Sequence, residues 1–119
     1  MLQITGSINK NLQPVLSVEL SNGAKFDCLL DTGFQGTLVV PRSFAQANSL
    51  IITGGEAFLA AENTGIEFET AIAEIKWLGD EFSLPVLVSE STEALIGVEM
   101  LIDTVIEIDY KNLTVKIIK

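Results

Sequence analysis

Phe26-Asp27-Cys28-Leu29-Leu30-Asp31-Thr32-Gly33-Phe34-Gln35-Gly36-Thr37-Leu38-Val39-Val40-Pro41 is the stretch on which the reading of this chain depends. An apolar run delivers one acidic residue to a Thr-Gly turn, and a second apolar run carries the chain away to a proline. A carboxylate at the end of a buried strand costs free energy unless it is hydrogen-bonded or close to neutral. Asp31 therefore either caps a turn or takes part in chemistry. As a turn, Asp31-Thr32-Gly33 is simple: Asp accepts a bond from backbone two residues on, and Gly supplies positive φ. The apolar flanks suggest more, because they set the turn inside a core.

Around that stretch, 119 residues suit a single domain over 1–119 with a modest core. Hydrophobic residues make up 48% of the chain, which excludes disorder. The supply of Ile, Val, Leu and Thr favours strands. No run approaches the roughly 18 to 20 uncharged apolar residues of a membrane span, so no membrane partner is expected. The start, Met-Leu-Gln-Ile-Thr-Gly-Ser, has no basic segment followed by an apolar block, and the expected location is cytoplasmic.

A net charge of −9 argues against nucleic acid, which is bound by neutralising phosphates with Lys and Arg. The acidic residues are scattered, as on a solvated surface. One cysteine, Cys28, rules out an internal disulfide, and the absence of histidine rules out a Cys/His zinc site. The same absence removes Ser-His-Asp and Cys-His catalysis. No metal or cofactor is expected, and carboxylates remain as the hydrolytic candidates.

Taken in order, Leu2 to Ile8 reads as a strand and Asn9-Lys10-Asn11 as a turn. Val15 to Leu20 alternates with period two. Asn22-Gly23 signals a hairpin returning along Lys25 to Leu30. Thr37 to Val40 is a short buried strand, and Pro41 to Ala47 a helical turn. Leu50 to Thr53 is a strand broken at Thr53-Gly54-Gly55, with further strands at Glu56 to Ala61 and Ile66 to Trp77. Leu78 to Glu81 is a turn. Phe82 to Ser89 is a strand in which Pro85 implies an edge or a bulge. A short helix from Glu93 to Leu101, capped by Ser91 or Thr92, precedes a hairpin of Val105 to Asp109 and Leu113 to Ile118. Many short strands with frequent turns indicate an all-β barrel or sandwich.

Asp31-Thr32-Gly33 after Cys28-Leu29-Leu30 resembles the active-site motif of the retropepsin-like (clan AA) aspartic peptidases. The wording through Pro41 is most similar to their small single-domain prokaryotic members. Ala94-Leu95-Ile96-Gly97-Val98-Glu99-Met100-Leu101 resembles the family's apolar-apolar-Gly segment, which opens its C-terminal helix. The ending, Val105 to Tyr110 and Val115 to Ile118, is similar to its closing strand pair. The resemblance covers about residues 13 to 118. It implies an all-β, closed acid-protease (retropepsin-like) barrel with a flap hairpin and one short C-terminal helix. It also implies pseudo-symmetric halves, an echo visible between Phe26–Pro41 and Phe82–Leu101.

The chemistry so implied is peptide-bond hydrolysis. A lone carboxylate of ordinary pKa is a weak base and no acid at neutral pH. Two held together share one proton, so one accepts from a bound water while the other donates to the peptide carbonyl. Only one Asp-Thr-Gly is present. The resemblance thus implies a homodimer in which each subunit gives Asp31, with the terminal strands in the dimer sheet and a peptide or protein as substrate. Thr32 would join the two loops through its hydroxyl, and Gly33 would permit close approach. The Glu56 to Ile75 hairpin falls where the family has its flap, with a tip at Ala61 to Gly65. Ala61, Glu62 and Asn63 would then touch substrate, although an ordinary exposed hairpin reads equally well. Phe34 departs from the small residue of viral enzymes and would narrow the cleft or line an apolar subsite. Trp77 and Tyr110 read as packing residues and Cys28 as a buried small hydrophobe. The alternative function is a catalytically weak or inactive dimeric peptide-binding or scaffolding module of the same fold.

Overall fold

The computed structural model describes residues 2–58 and 67–119, with side chains left aside at 55–58 and 67. Ten strands and one short helix follow in the order β1 (Gln3–Ile8), β2 (Pro14–Leu20), β3 (Lys25–Leu30), β4 (Leu38–Pro41), α1 (Arg42–Ala47), β5 (Ile51–Phe58), β6 (Glu67–Trp77), β7 (Asp80–Ser89), β8 (Ala94–Ile96), β9 (Val105–Asp109) and β10 (Thr114–Ile118). A four-residue 3₁₀ turn, Val98–Leu101, lies between β8 and β9.

Local chemistry sets the hairpins. At Ser21-Asn22-Gly23 the glycine has φ of 91°, and the Asn22 side-chain oxygen accepts the Ala24 amide at 2.8 Å. The β6–β7 connection is tighter than Leu78 to Glu81. Only Leu78 and Gly79 turn, with φ of 48° and 86°, so β7 begins at Asp80 rather than Phe82. Two successive positive φ values match the twist of a two-residue hairpin. Leu78 accepts that conformation because its side chain is buried in the core.

Six strands close on themselves in the ring β2–β3–β8–β4–β7–β6 and back to β2. Closure removes the free edges that an open sheet of this length would leave. Alternate residues point inward: Leu16, Val18 and Leu20 of β2, Ala71, Ala73 and Ile75 of β6, Leu84, Val86 and Val88 of β7. The two alanines keep the interior narrow enough to fill with the larger neighbours. Two wings leave this ring. β5 extends the sheet beyond β6, and β1, β10 and β9 extend it beyond β2.

The closed all-β barrel expected from the sequence is therefore present, with several local corrections. Gly54 does not end a strand. β5 runs through it from Ile51 to Phe58 and takes up the irregularity as register shifts against β6 on either side of Gly54. Glu93 to Leu101 is not one helix: Ala94–Ile96 is a strand, and the C-terminal helical element is the single 3₁₀ turn. Strand geometry prevails because Ala94 and Ile96 fill the gap between β3 and β4. Pro85 sits where β7 is locally an edge. Its carbonyl accepts from the Thr37 hydroxyl at 2.6 Å, on the side where β4 pairs only from Leu87 onward. A strand residue's amide and carbonyl face the same neighbour, so the missing N–H leaves the β6 ladder intact.

The echo between the two halves is a matter of pairing. β3 runs parallel to β8, and β4 runs parallel to β7. Exchanging β3 with β7 and β4 with β8 reproduces those pairings, and the antiparallel β4–β8 contact maps onto itself.

Candidate active site

The candidate catalytic residue leaves the barrel at the end of β3. Its amide donates to the Ile96 carbonyl at 2.9 Å, which continues the parallel pairing of β3 with β8 by one step. One carboxylate oxygen, Oδ1, accepts the Gly33 amide at 2.9 Å, and the Asp31 carbonyl accepts the Phe34 amide at 3.1 Å. The carboxylate is half-buried, while Thr32 and Gly33 are exposed. The turn reading of the tripeptide is thus seen directly: Asp31 caps its turn with one carboxylate oxygen.

The loop beyond it is fastened by the segment after β8. Gly97 donates to the Thr37 carbonyl at 2.7 Å, Val98 to Phe34 at 2.9 Å and Glu99 to Gly36 at 3.1 Å. Three consecutive amides thus hold three carbonyls of residues 34–37. Contact is close enough to demand glycine. A Cβ on Gly97 would lie 2.2 Å from the Gly36 carbonyl oxygen, and one on Gly36 would lie 2.4 Å from the Phe34 ring. In the sequence Gly97 stands out only as part of a motif, and nothing marks Gly36 as a packing requirement. The spacing of both glycines from a bulky Phe34 is the signal that would have found it.

Phe34 itself is 7% exposed, with its ring against Gly36 and Gly97. It lies beneath the loop, packed between the two glycines. Ala61, Glu62 and Asn63, expected at a flap tip, lie outside the described residues. Thr32 is exposed and has no side-chain hydrogen bond among the described residues.

Further contacts tie the elements of the barrel to one another. Arg42, the first residue of α1, pairs with Glu69 of β6 and with Glu90 just after β7, the latter at 2.6 Å. The bond to Glu90 and then that to Glu69 raise the affinity of the guanidinium for its proton. Trp77 donates its indole N–H to the Met100 carbonyl at 3.0 Å and ties β6 to the 3₁₀ turn. Trp77 is a core residue as expected, and Tyr110 is exposed. Cys28 is wholly buried on β3. Burial, with a smaller contribution from Asp27, pushes its thiol well above the ordinary range, so it is not a nucleophile. Among the described residues no cluster of three or more Cys, Asp or Glu side chains is placed to hold a metal ion, and no helix is long and apolar enough to cross a membrane.

No protein-family model and no curated protein matches the chain by sequence. Solved structures match it by fold. A retropepsin-like aspartic protease from Rickettsia conorii superposes with a TM-score of 0.71 at 17% identity, over 97% of this chain and 89% of the other. The EIAV protease, solved with the inhibitor HBY-793, gives 0.57 at 22% identity over 80% and 90%. The retroviral protease-like domain of Ddi1 from Leishmania major gives 0.51 at 14% identity over 90% and 94%. At these identities the likeness is one of architecture, and it spans nearly the whole chain.

Proposed function

With a retropepsin-like architecture as the premise, we propose that this chain is an aspartic endopeptidase that works as a homodimer. Two Asp31 carboxylates, one from each subunit, would bind one water between them. The observation that carries the reading is the state of Asp31: its backbone is fixed by Ile96 and one oxygen by Gly33, yet the carboxylate sits half-exposed on an open turn. A group held this firmly loses little freedom when it meets its twin, and positioning of this kind lowers a barrier.

In the reaction, the ionised carboxylate accepts a proton from the water as its oxygen attacks the peptide carbonyl carbon. The protonated carboxyl gives its proton to the carbonyl oxygen, forming a neutral tetrahedral diol. Return of one hydroxyl proton to a carboxylate, with proton delivery to the amide nitrogen, breaks the C–N bond and restores the shared proton. Thr32 would link the two loops across the axis through its exposed hydroxyl. Gly33 would let substrate and the second loop approach without a Cβ. Ala61, Glu62 and Asn63 are proposed as the substrate-covering residues of the β5–β6 hairpin, which would exclude water on closing. A peptide or protein is the substrate, and no cofactor enters.

Asp31→Asn tests the reading. Cleavage of casein or a peptide library should fall by at least about a hundredfold, as expected on removing a general acid–base group. Circular dichroism should be unchanged, because an amide oxygen still accepts the Gly33 amide. Equal cleavage by both proteins removes the catalytic assignment. Binding of a peptide-like transition-state mimic without turnover by either protein would instead select the peptide-binding module.

A further inference from the structure

β2 changes partner halfway along its length. Pro14 and Val15 pair with β1, while Glu19 and Leu20 pair with β6. Ser17 lies between and pairs with neither. Continued in register, the β6 ladder would bring Leu78 to Ser17, but Leu78 and Gly79 turn there with positive φ and carry the chain away. β1 departs on the other side. Gly6 crosses so close to Val15 that a Cβ would lie 2.0 Å from the Val15 carbonyl oxygen. Leu2 lies against Gly79, 3.1 Å from the position a Cβ would take. Between these two anchors the strands part around a groove of about 480 Å³, lined by Ile4, Ser17, Trp77 and Leu78 among others. The groove runs away from Asp31: β3 reaches Asp31 beyond the Leu29–Val15 pair, and Ser17 lies on the opposite side of that pair.

Hydrogen-bond alternation shows what the walls offer. Lys119 donates to the Leu2 carbonyl and Ile8 to the Leu113 carbonyl, so the even-numbered residues of β1 bond to β10. The amides and carbonyls of Gln3 and Thr5 are therefore directed to the groove side. On that side β2 meets β1 only at Ser7 and Ile8. β2 bonds to β3 through its even-numbered residues, as the Leu20 amide does to Ala24, which turns the backbone of Ser17 toward the groove. Exposed strand backbone of this kind is a template for pairing with another extended segment.

We propose that this groove binds an extended basic peptide as a short strand added to β1 along Gln3–Thr5. An apolar side chain of the peptide packs against Ile4 and Leu78, and a lysine or arginine stands beside Asp80 and Glu81. The proposal goes beyond the peptidase reading and does not depend on it.

Charge selects the basic peptide. Glu19, Asp80 and Glu81 stand at the rim against Lys76 and Lys119, so carboxylates are in excess. Their ion pairs are long, at 3.6 to 3.9 Å, whereas Arg42 meets Glu90 at 2.6 Å. Carboxylates held this loosely turn to an incoming cation at little cost. A nucleic acid or an acidic peptide would meet both this rim and a net charge of −9. Backbone pairing to β1 fixes the peptide's direction, and the rim fixes its charge.

Trp77, the single tryptophan, lines the groove and reports its occupancy. The probe is the blocked pentapeptide acetyl-Lys-Val-Thr-Val-Lys-amide. Titration should shift the Trp77 fluorescence saturably, and equally in wild type and Asp31→Asn, because the groove does not include Asp31. Replacing both lysines of the peptide by glutamate should weaken binding by about tenfold or more. Thr5→Pro removes an amide on the groove side and spares the β10 ladder, so it should weaken binding by about tenfold with the fold retained. Ser17→Phe, at an exposed position, fills the gap from the other wall and should act likewise. Absence of a saturable shift in wild type overturns the proposal, as does unchanged affinity in the folded variants or equal affinity for the glutamate peptide. If Thr5→Pro and Ser17→Phe reduce self-association in sedimentation and leave peptide binding unchanged, a second copy fills the groove and the proposal fails.

Discussion

Asp31 and Gly97 form one unit, although the sequence separates them widely. The Asp31 amide reaches the residue just before Gly97, and the Gly97 amide reaches back to Thr37. Alanine at Gly97 would drive a Cβ to 2.2 Å from a backbone oxygen and 2.6 Å from the Phe34 ring, so the loop would have to move. We expect Gly97→Ala to lose about 2 to 4 kcal/mol of stability in urea unfolding, in the range of an overpacked, well-fixed site. Gly54→Ala is the control. Among the described residues its Cβ would meet only the Thr70 hydroxyl, at 3.4 Å, and stability should stay within about 0.5 kcal/mol. The Asp31 turn was legible in the sequence because an Asx turn needs nothing beyond its own three residues and their flanks. Phe34 was not, since the face it packs on is supplied partly by Gly97, and chain order says nothing about which distant glycine will receive a ring.

Elements with a clear pattern of their own, such as β1 and β4, are legible in the sequence, whereas β8 depends on distant partners and is not. The β2–β3 and β9–β10 hairpins carry their turn chemistry within a few residues. β8 has three residues and becomes a strand only because β3 and β4 leave a slot between them. Read alone, Ala94 to Leu101 looks as much like a helix as a strand. The β9–β10 turn offers a prediction at this scale. Asp109 accepts the Asn112 amide at 3.0 Å, the Asn112 side chain at 2.8 Å and the Lys111 amide at 2.9 Å. The bonds from Asn112 are the main reason its carboxyl is held below the ordinary value of 3.8. A carboxylate depressed in the folded state contributes stability that is present above its unfolded pKa and lost as pH falls through its folded one. Asp109→Asn should therefore melt below wild type near neutral pH. The two melting curves should converge as the pH drops below the ordinary carboxylate range. A gap that is constant across that range would show that the charge contributes nothing.

For the molecule as a whole, a closed barrel gives Asp31 a rigid support. If the two Asp31 groups act together, activity belongs to the dimer and not to the chain, and this has a quantitative consequence. Wild type mixed with an equal amount of Asp31→Asn and allowed to exchange subunits distributes its chains at random between homodimers and heterodimers. Half of the wild-type chains then sit beside an amide that cannot share a proton with a carboxylate. Cleavage per wild-type chain should fall to about half of its value without the variant. The loss should develop at the rate of subunit exchange, and dilution below the dissociation constant should make activity fall with the square of concentration. A chain that worked alone would show neither behaviour: its activity would be indifferent to the added variant and linear in dilution. Fluorescence-labelled subunits would follow exchange in the same samples. A loss of cleavage that keeps pace with exchange would assign the missing carboxylate to the second copy.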